Sequence, residues 1–317
     1  MLWVSYVLKS TQCCFLIIAI YVYVYLATII WRKMVYNSNL TLLLLFLPIP
    51  SIVGTSMYSL RDITVMLKMN TATSNQIIQT ILDLGMSGGV LNLPNLIVDR
   101  LAATFYPAQY ETKGGEIPWI AVGMITSQVL LTGGFVAMVK IGIISELVST
   151  MTFIALCIIS AVLFTILPHF SRKYHDYYRK RQSSVSVRYQ SVENLRAAKL
   201  LKVLVVVYVF FYLSETGIFS LFYFIIADED KICSITLQTF FNLVVIIEIL
   251  TSINVIARSH PSLRRALPAF CRRQEVRATY VTTCDVRSYD GKALSFSVNC
   301  QREMYFDQLQ DSWGEKK

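Results

Sequence analysis

The sequence predicts an all-α membrane protein: a seven-transmembrane helix bundle with its N-terminus outside and its C-terminus in the cytoplasm. Three observations carry that prediction. Of 317 residues, 55% are hydrophobic and only 15% charged, with a mean hydropathy of +0.52, more apolar surface than one soluble core of this size can hide. The apolar residues gather into seven runs, each long enough to cross a hydrocarbon layer about 30 Å thick, and no segment reads as a strand. The basic residues lie between the runs and collect in alternate connections.

The first run, residues 13–31, stops at Arg32-Lys33 without a small-residue cleavage pattern, so it reads as a retained helix and not a signal peptide. Residues 40–60 form the second, bent by Pro48 and Pro50. The third covers 75–98. The fourth covers 118–139, with Trp119 as an interfacial anchor at its inner edge. The fifth, 147–167, ends at Pro168, and the sixth, 203–226, is rich in tyrosine and phenylalanine. The seventh covers 232–256. Residues 1–257 thus make the bundle, and 258–317 a cytoplasmic tail.

With the N-terminus outside, 24 of the 29 Lys and Arg residues fall in inner loops and the tail, leaving Lys9, Arg61, Lys68, Lys140 and Lys231 outside. The net charge of +9 therefore sets topology, and no nucleic-acid-binding motif accompanies it. The sequon Asn39-Leu40-Thr41 lies in the inner first loop, where it escapes glycosylation. Seven cysteines contain no C-x-x-C pair, so no metal site is implied; Cys13 or Cys14 could bridge to Cys233 near the outer face, or all three could stay free. His169, His175 and His260 sit in loops or tail, and neither H-E-x-x-H nor G-x-S-x-G occurs, which argues against an enzyme; no cofactor is implied.

At the inner end of the third run stand Asp99 and Arg100, followed by Pro107 and Tyr110. This resembles the D-R-Y-x-x-x-x-x-P-x-x-Y element of rhodopsin-like G protein-coupled receptors, with Leu101 in place of the tyrosine. The resemblance implies an arginine held by its acidic neighbour at rest and presented to a G protein on activation. Ordinary interfacial charges ending a membrane helix are the plainer reading.

In the third inner loop, HFSRKYHDYYRKRQ mixes aromatic and basic residues, as a helix crossing lipid headgroups would, and carries Arg179, Lys180 and Arg181. SVENLRAAKLLK then reads as a helical lead into the sixth span, with Ser191 as its N-cap. Such extensions suit a docking surface for a G protein, or lipid binding alone. Ser183, Ser184 and Ser186 are phosphorylation candidates. After the seventh span, SHPSLRRALPAFCRR suits a short amphipathic helix, with Cys271 either palmitoylated or free.

An ionisable group within a bilayer costs about 2.5–3.5 kcal/mol on insertion scales, so each needs a partner or a job. Asp83 and Ser87 lie one turn apart on the third span; Tyr208, Tyr212, Glu215 and Phe219 share a face of the sixth; Glu248, Thr251 and Ser252 cluster on the seventh. Asp83, Ser87, Tyr208, Tyr212, Glu215 and Glu248 are the candidate ligand-binding residues. Helix cross-links are the alternative role for the acids, and no Lys or Arg on the outer halves of these three spans offers a counter-ion. Gly85 and Gly89 form a small-x-x-x-small pair for close helix packing, and Gly88 and Pro94 add a soft point to the same helix.

Taken together, Asp99-Arg100-Leu101-Ala102-Ala103-Thr104 through Tyr110-Glu111, Arg188-Tyr189-Gln190 with Glu193-Asn194-Leu195-Arg196, Lys199-Leu200-Leu201-Lys202, Tyr305-Phe306-Asp307-Gln308-Leu309 and Ser312-Trp313 resemble the nematode serpentine receptor class epsilon chemoreceptors. The resemblance implies a multi-pass plasma membrane receptor in the cilia of sensory neurons, taking a small-molecule or pheromone-like ligand and signalling to a heterotrimeric G protein. The sequence departs from it at Asp99, where that family more often has glutamate. Compared with rhodopsin-like receptors, it lacks the tryptophan-proline and asparagine-proline-tyrosine switches and an acid for a sodium site in the second run. A ligand-gated ion channel or a transporter is the rival reading, although no internal repeat supports it. A retinal protein would need a lysine in the seventh run, which has none.

Overall fold

The computed structural model describes residues 2–33, 37–67, 69, 71–106, 110, 118–180, 185–225, 231–259 and 263. The chain divides into two units, Met1–Pro268 and Ala269–Lys317, and the second lies outside the described residues. The described residues form eight helices: α1 (Leu2–Lys33), α2 (Ser38–Phe46), α3 (Ile49–Met66), α4 (Ala72–Phe105), α5 (Trp119–Lys140), α6 (Glu146–Lys180), α7 (Val185–Ile225) and α8 (Lys231–Ser259). Seven segments are long and apolar enough to span a membrane, with α2 and α3 together making the second, and no strand occurs among the described residues.

The division of the second span follows from its prolines. Pro48 and Pro50 supply no amide hydrogen, so the helix breaks after Phe46 and restarts at Ile49 with Pro50 in its first turn. The Leu47 carbonyl at that break accepts from Asn92 Nδ2 of α4 at 3.1 Å and from the Tyr208 hydroxyl of α7 at 3.5 Å. A backbone irregularity at membrane depth is thus satisfied by neighbouring helices.

Two expectations at helix ends are corrected. Pro168 does not end the fifth span: α6 runs through it to Lys180, because packed neighbours tolerate the lost backbone bond in a membrane helix. Ser191 is not an N-cap but lies inside α7, which begins at Val185 and is continuous with the sixth span. Its hydroxyl instead sits 2.8 Å from His175 Nδ1 of α6.

α4 is the hub, packing against α2, α3, α5, α6 and α7, while α1 meets α3 and α8. Its contact with α3 is the tightest. A Cβ on Gly85 would come within 2.8 Å of Gly54 N and of Pro50 O, both backbone atoms, so only glycine fits there. Gly89 is not its equal, since a Cβ there would meet Ser51 Oγ at an ordinary 3.6 Å.

Unlike a soluble bundle, this one is apolar on its outer face as well as in its core, with polar side chains buried between helices. Ile17 and Tyr21 on α1, Leu130 and Leu131 on α5, and Ile158 and Ile159 on α6 are exposed, as lipid-facing positions should be. Polar side chains point inward: Gln128 Nε2 of α5 donates to Asn92 Oδ1 at 2.9 Å and to Gly88 O at 2.7 Å, and Asn95 Nδ2 donates to Gln128 Oε1 at 2.6 Å. Asn39 of the sequon is fully buried, its Oδ1 accepting from the Ala121 amide of α5 at 3.2 Å. Between the two ends of α4 lies an apolar layer including Leu44, Leu47, Leu93, Leu96, Leu201 and Leu204.

Candidate functional site: a cavity and a latched arginine

At one end of α4 the helix presents Asp99 and Arg100, 0% and 2% exposed. A charge buried that completely needs its hydrogen bonds met in full. Arg100 Nη2 and Nε donate to Asp99 Oδ2 at 2.6 and 2.9 Å, Nη2 also donates to the Tyr110 hydroxyl at 3.1 Å, and Nη1 donates to Asn194 Oδ1 of α7 at 3.2 Å. The Tyr110 hydroxyl donates to the other Asp99 oxygen at 2.6 Å, closing a ring of three side chains. Burial pushes the Tyr110 phenol above its ordinary value; the Arg100 guanidinium opposes that rise and the Asp99 carboxylate adds to it.

This ring holds α7 in place. Asn194 Nδ2 donates back to the Ala103 carbonyl of α4, so the amide bonds α4 through both its atoms. Beside it the Asn37 amide donates to Glu193 Oε1 at 3.0 Å, and His175 ties α6 to Ser191. Three neighbours therefore restrain one end of α7.

At the opposite end, α3 to α8 enclose a cavity of about 630 Å³. Asp83, Ser87, Tyr208, Tyr212, Glu215 and Glu248 all line it. The periodicity that places Tyr208, Tyr212 and Glu215 on one face of α7 is why they arrive together. Asp83 is half-buried and does have a counter-ion: Lys140, at the end of α5, lies 2.6 Å from Asp83 Oδ2, and Gln79 Nε2 donates to Oδ1 at 2.9 Å. That partner comes from outside the three spans in which one was sought. Glu215 and Glu248 are both buried and line the same cavity, and Glu215 Oε1 has no hydrogen-bond partner among the described residues.

Of the other candidates, Arg179 and Lys180 belong to the last turn of α6 without described side chains; Pro107, Arg181, Ser183, Ser184 and Cys271 lie outside the described residues. The side chains of Ser186, Phe219 and Cys233 are also outside them, while Cys13 and Cys14 are free thiols. No cluster of three His, Cys, Asp or Glu side chains suited to a metal ion occurs among the described residues. Lys140 and Gln79 were not singled out in the sequence, and Asn194 only as part of a family motif. Their partners lie on other helices, which helical spacing does not register.

Six spans and a central one, α4, with a cavity at one end and a restrained arginine at the other, define a receptor-type membrane bundle. Residues 61–314 match the family model described as Sre G protein-coupled chemoreceptor, and the chain belongs to that family. None of the curated proteins matches the chain.

Proposed function

We propose that this chain is a chemosensory receptor in which a small ligand enters the Asp83 cavity and releases the Arg100 end to a heterotrimeric G protein. The observation that carries the reading is the layout of α4, whose two ends stand in the cavity and in the arginine ring. In this reading the Arg100 end faces the cytoplasm, in keeping with the excess of basic residues in the connections on that side. The resting state is the latched one: Asn194 and Asp99 occupy the guanidinium that a G protein would meet. A ligand that draws α7 toward the cavity loosens the Asn194 contact, because α7 carries Tyr208, Tyr212 and Glu215 at its other end.

Family membership supports sensory signalling, and sensory cilia are the proposed site of action by resemblance to the class epsilon chemoreceptors. Residues 258–317 act as a cytoplasmic tail, with Cys271 available for palmitoylation beside the bilayer. The basic residues Arg179, Lys180 and Arg181 contribute to the G protein surface together with Pro107 and Tyr110.

The test is G protein dissociation in cells expressing the full chain, run against a small-molecule panel, with Arg100→Ala compared at matched surface amounts. A ligand response that Arg100→Ala abolishes supports the reading. A ligand-gated current that needs no G protein and survives Arg100→Ala replaces it with the channel reading.

A further inference from the structure

The cavity also constrains what binds in it. Its lining carries four acids, Asp83, Glu146, Glu215 and Glu248, against a single base among the described residues, Lys140. That base is taken: Lys140 sits on Asp83 near the mouth. Glu215 and Glu248 lie deeper, 8% and 6% exposed, and Lys140 pairs with neither. Burying two neighbouring carboxyls without a cation is costly, and Glu215 Oε1 has no donor among the described residues. An incoming group that supplied both positive charge and N–H donors would meet both deficits.

The walls match such a group. Tyr208 and Tyr212 of α7 and Phe153 of α6 line the same space, offering ring faces to a cation and apolar cover to its carbon body. A volume of about 630 Å³ suits a drug-sized organic molecule. An anionic ligand would face three acids that have no basic partner among the described residues, and an alcohol would supply a donor without the charge. A quaternary ammonium would supply the charge without a donor.

We propose that the Glu215–Glu248 pair at the base of the cavity is the recognition site for a primary or secondary organic ammonium with an apolar or aromatic body. This rests on the cavity being the ligand site, and it adds the chemical class of the ligand. Glu215 accepts an N–H on its unpartnered oxygen, Glu248 shares the positive charge, and the aromatic side chains cover the body.

The experiment uses the full chain in lipid nanodiscs and reads binding by calorimetry, with empty nanodiscs subtracted. The probes are butylammonium, 2-phenylethylammonium and 4-phenylbutylammonium, each beside the alcohol and the carboxylate of the same skeleton. At least one ammonium should bind about tenfold or more tighter than its alcohol, a difference of about 1.4 kcal/mol, while its carboxylate does not bind. Glu215→Gln and Glu248→Gln should each remove most of that preference. If no ammonium outbinds its alcohol, or if the preference survives both substitutions, the proposal is wrong. Should either variant fail to fold, the wild-type ranking of ammonium, alcohol and carboxylate decides alone. No G protein is present, so ammonium binding without any cellular response would overturn the signalling reading and leave this one standing. A cellular response to neutral or anionic ligands alone would do the reverse.

Discussion

The two polar ends of α4 are built on opposite principles. At the Arg100 end all three guanidinium nitrogens donate, both Asp99 oxygens accept, and the side chains concerned are buried. At the cavity end two acids are buried together, one carboxyl oxygen has no partner among the described residues, and about 630 Å³ stands open beside them. A satisfied network is stiff and specific, whereas an unsatisfied one is a place where a ligand has something to contribute. The comparison teaches that one end of α4 is closed by satisfied polar contacts and the other left open beside unsatisfied ones, with the apolar layer around Leu93, Leu96, Leu201 and Leu204 in between; the proposed function assigns restraint to the first and ligand binding to the second.

The largest test of that contrast is Arg100→Ala. It strands Asp99 without its cation in a fully buried site, for which about 3–5 kcal/mol of lost stability is expected; the unfolding temperature in nanodiscs should fall clearly, and replacing Asp99 by Asn in the same chain should recover part of the loss. Next comes Gly85→Ala, whose methyl group would strike the α3 backbone and cost about 1–3 kcal/mol by overpacking. Gly89→Ala is the internal control and should shift the unfolding temperature very little.

Tyr110→Phe removes one acceptor and one donor from the ring, at about 1–3 kcal/mol. The pH dependence has a definite sign. The folded phenol keeps its proton to higher pH than the unfolded one, so its contribution is whole below about pH 10 and declines as pH rises further. The gap in stability between wild type and Tyr110→Phe should therefore be constant through neutral pH and narrow in strong alkali. The smallest effect belongs to Lys140→Met: its ion pair with Asp83 is partly exposed, so about 0–1 kcal/mol is expected. A large loss there would mean that the mouth is as tightly built as the Arg100 ring.

Much of this was legible in the sequence, and the exceptions share one cause. Hydropathy located all seven spans, the Pro48 and Pro50 bend marked the break between α2 and α3, and the 3.6-residue helical periodicity put Tyr208, Tyr212 and Glu215 on one face. What depended on packing between helices was not legible. Pro168 reads as a stop by local rules, yet α6 runs through it to Lys180, in line with the reading of the aromatic and basic run after it as a helix crossing the headgroups. Ser191 has the chemistry of a cap and lies mid-helix against His175. Lys140 lies far along the chain from Asp83, and only the packing of α4 on α5 brings them to 2.6 Å. The meeting of Glu215 with Glu248, and of Asn194 with Arg100, likewise depends on which helix faces which.

The most direct test of the central claim needs no ligand: basal G protein dissociation in cells bearing Asp99→Asn, Asn194→Ala, Arg100→Ala or the wild type at matched surface amounts. If the ring restrains an arginine that the G protein must reach, Asp99→Asn and Asn194→Ala will raise basal activity above wild type, and Arg100→Ala will show none. Basal activity that stays at the wild-type level in both loosened variants, or that persists without Arg100, would contradict the account.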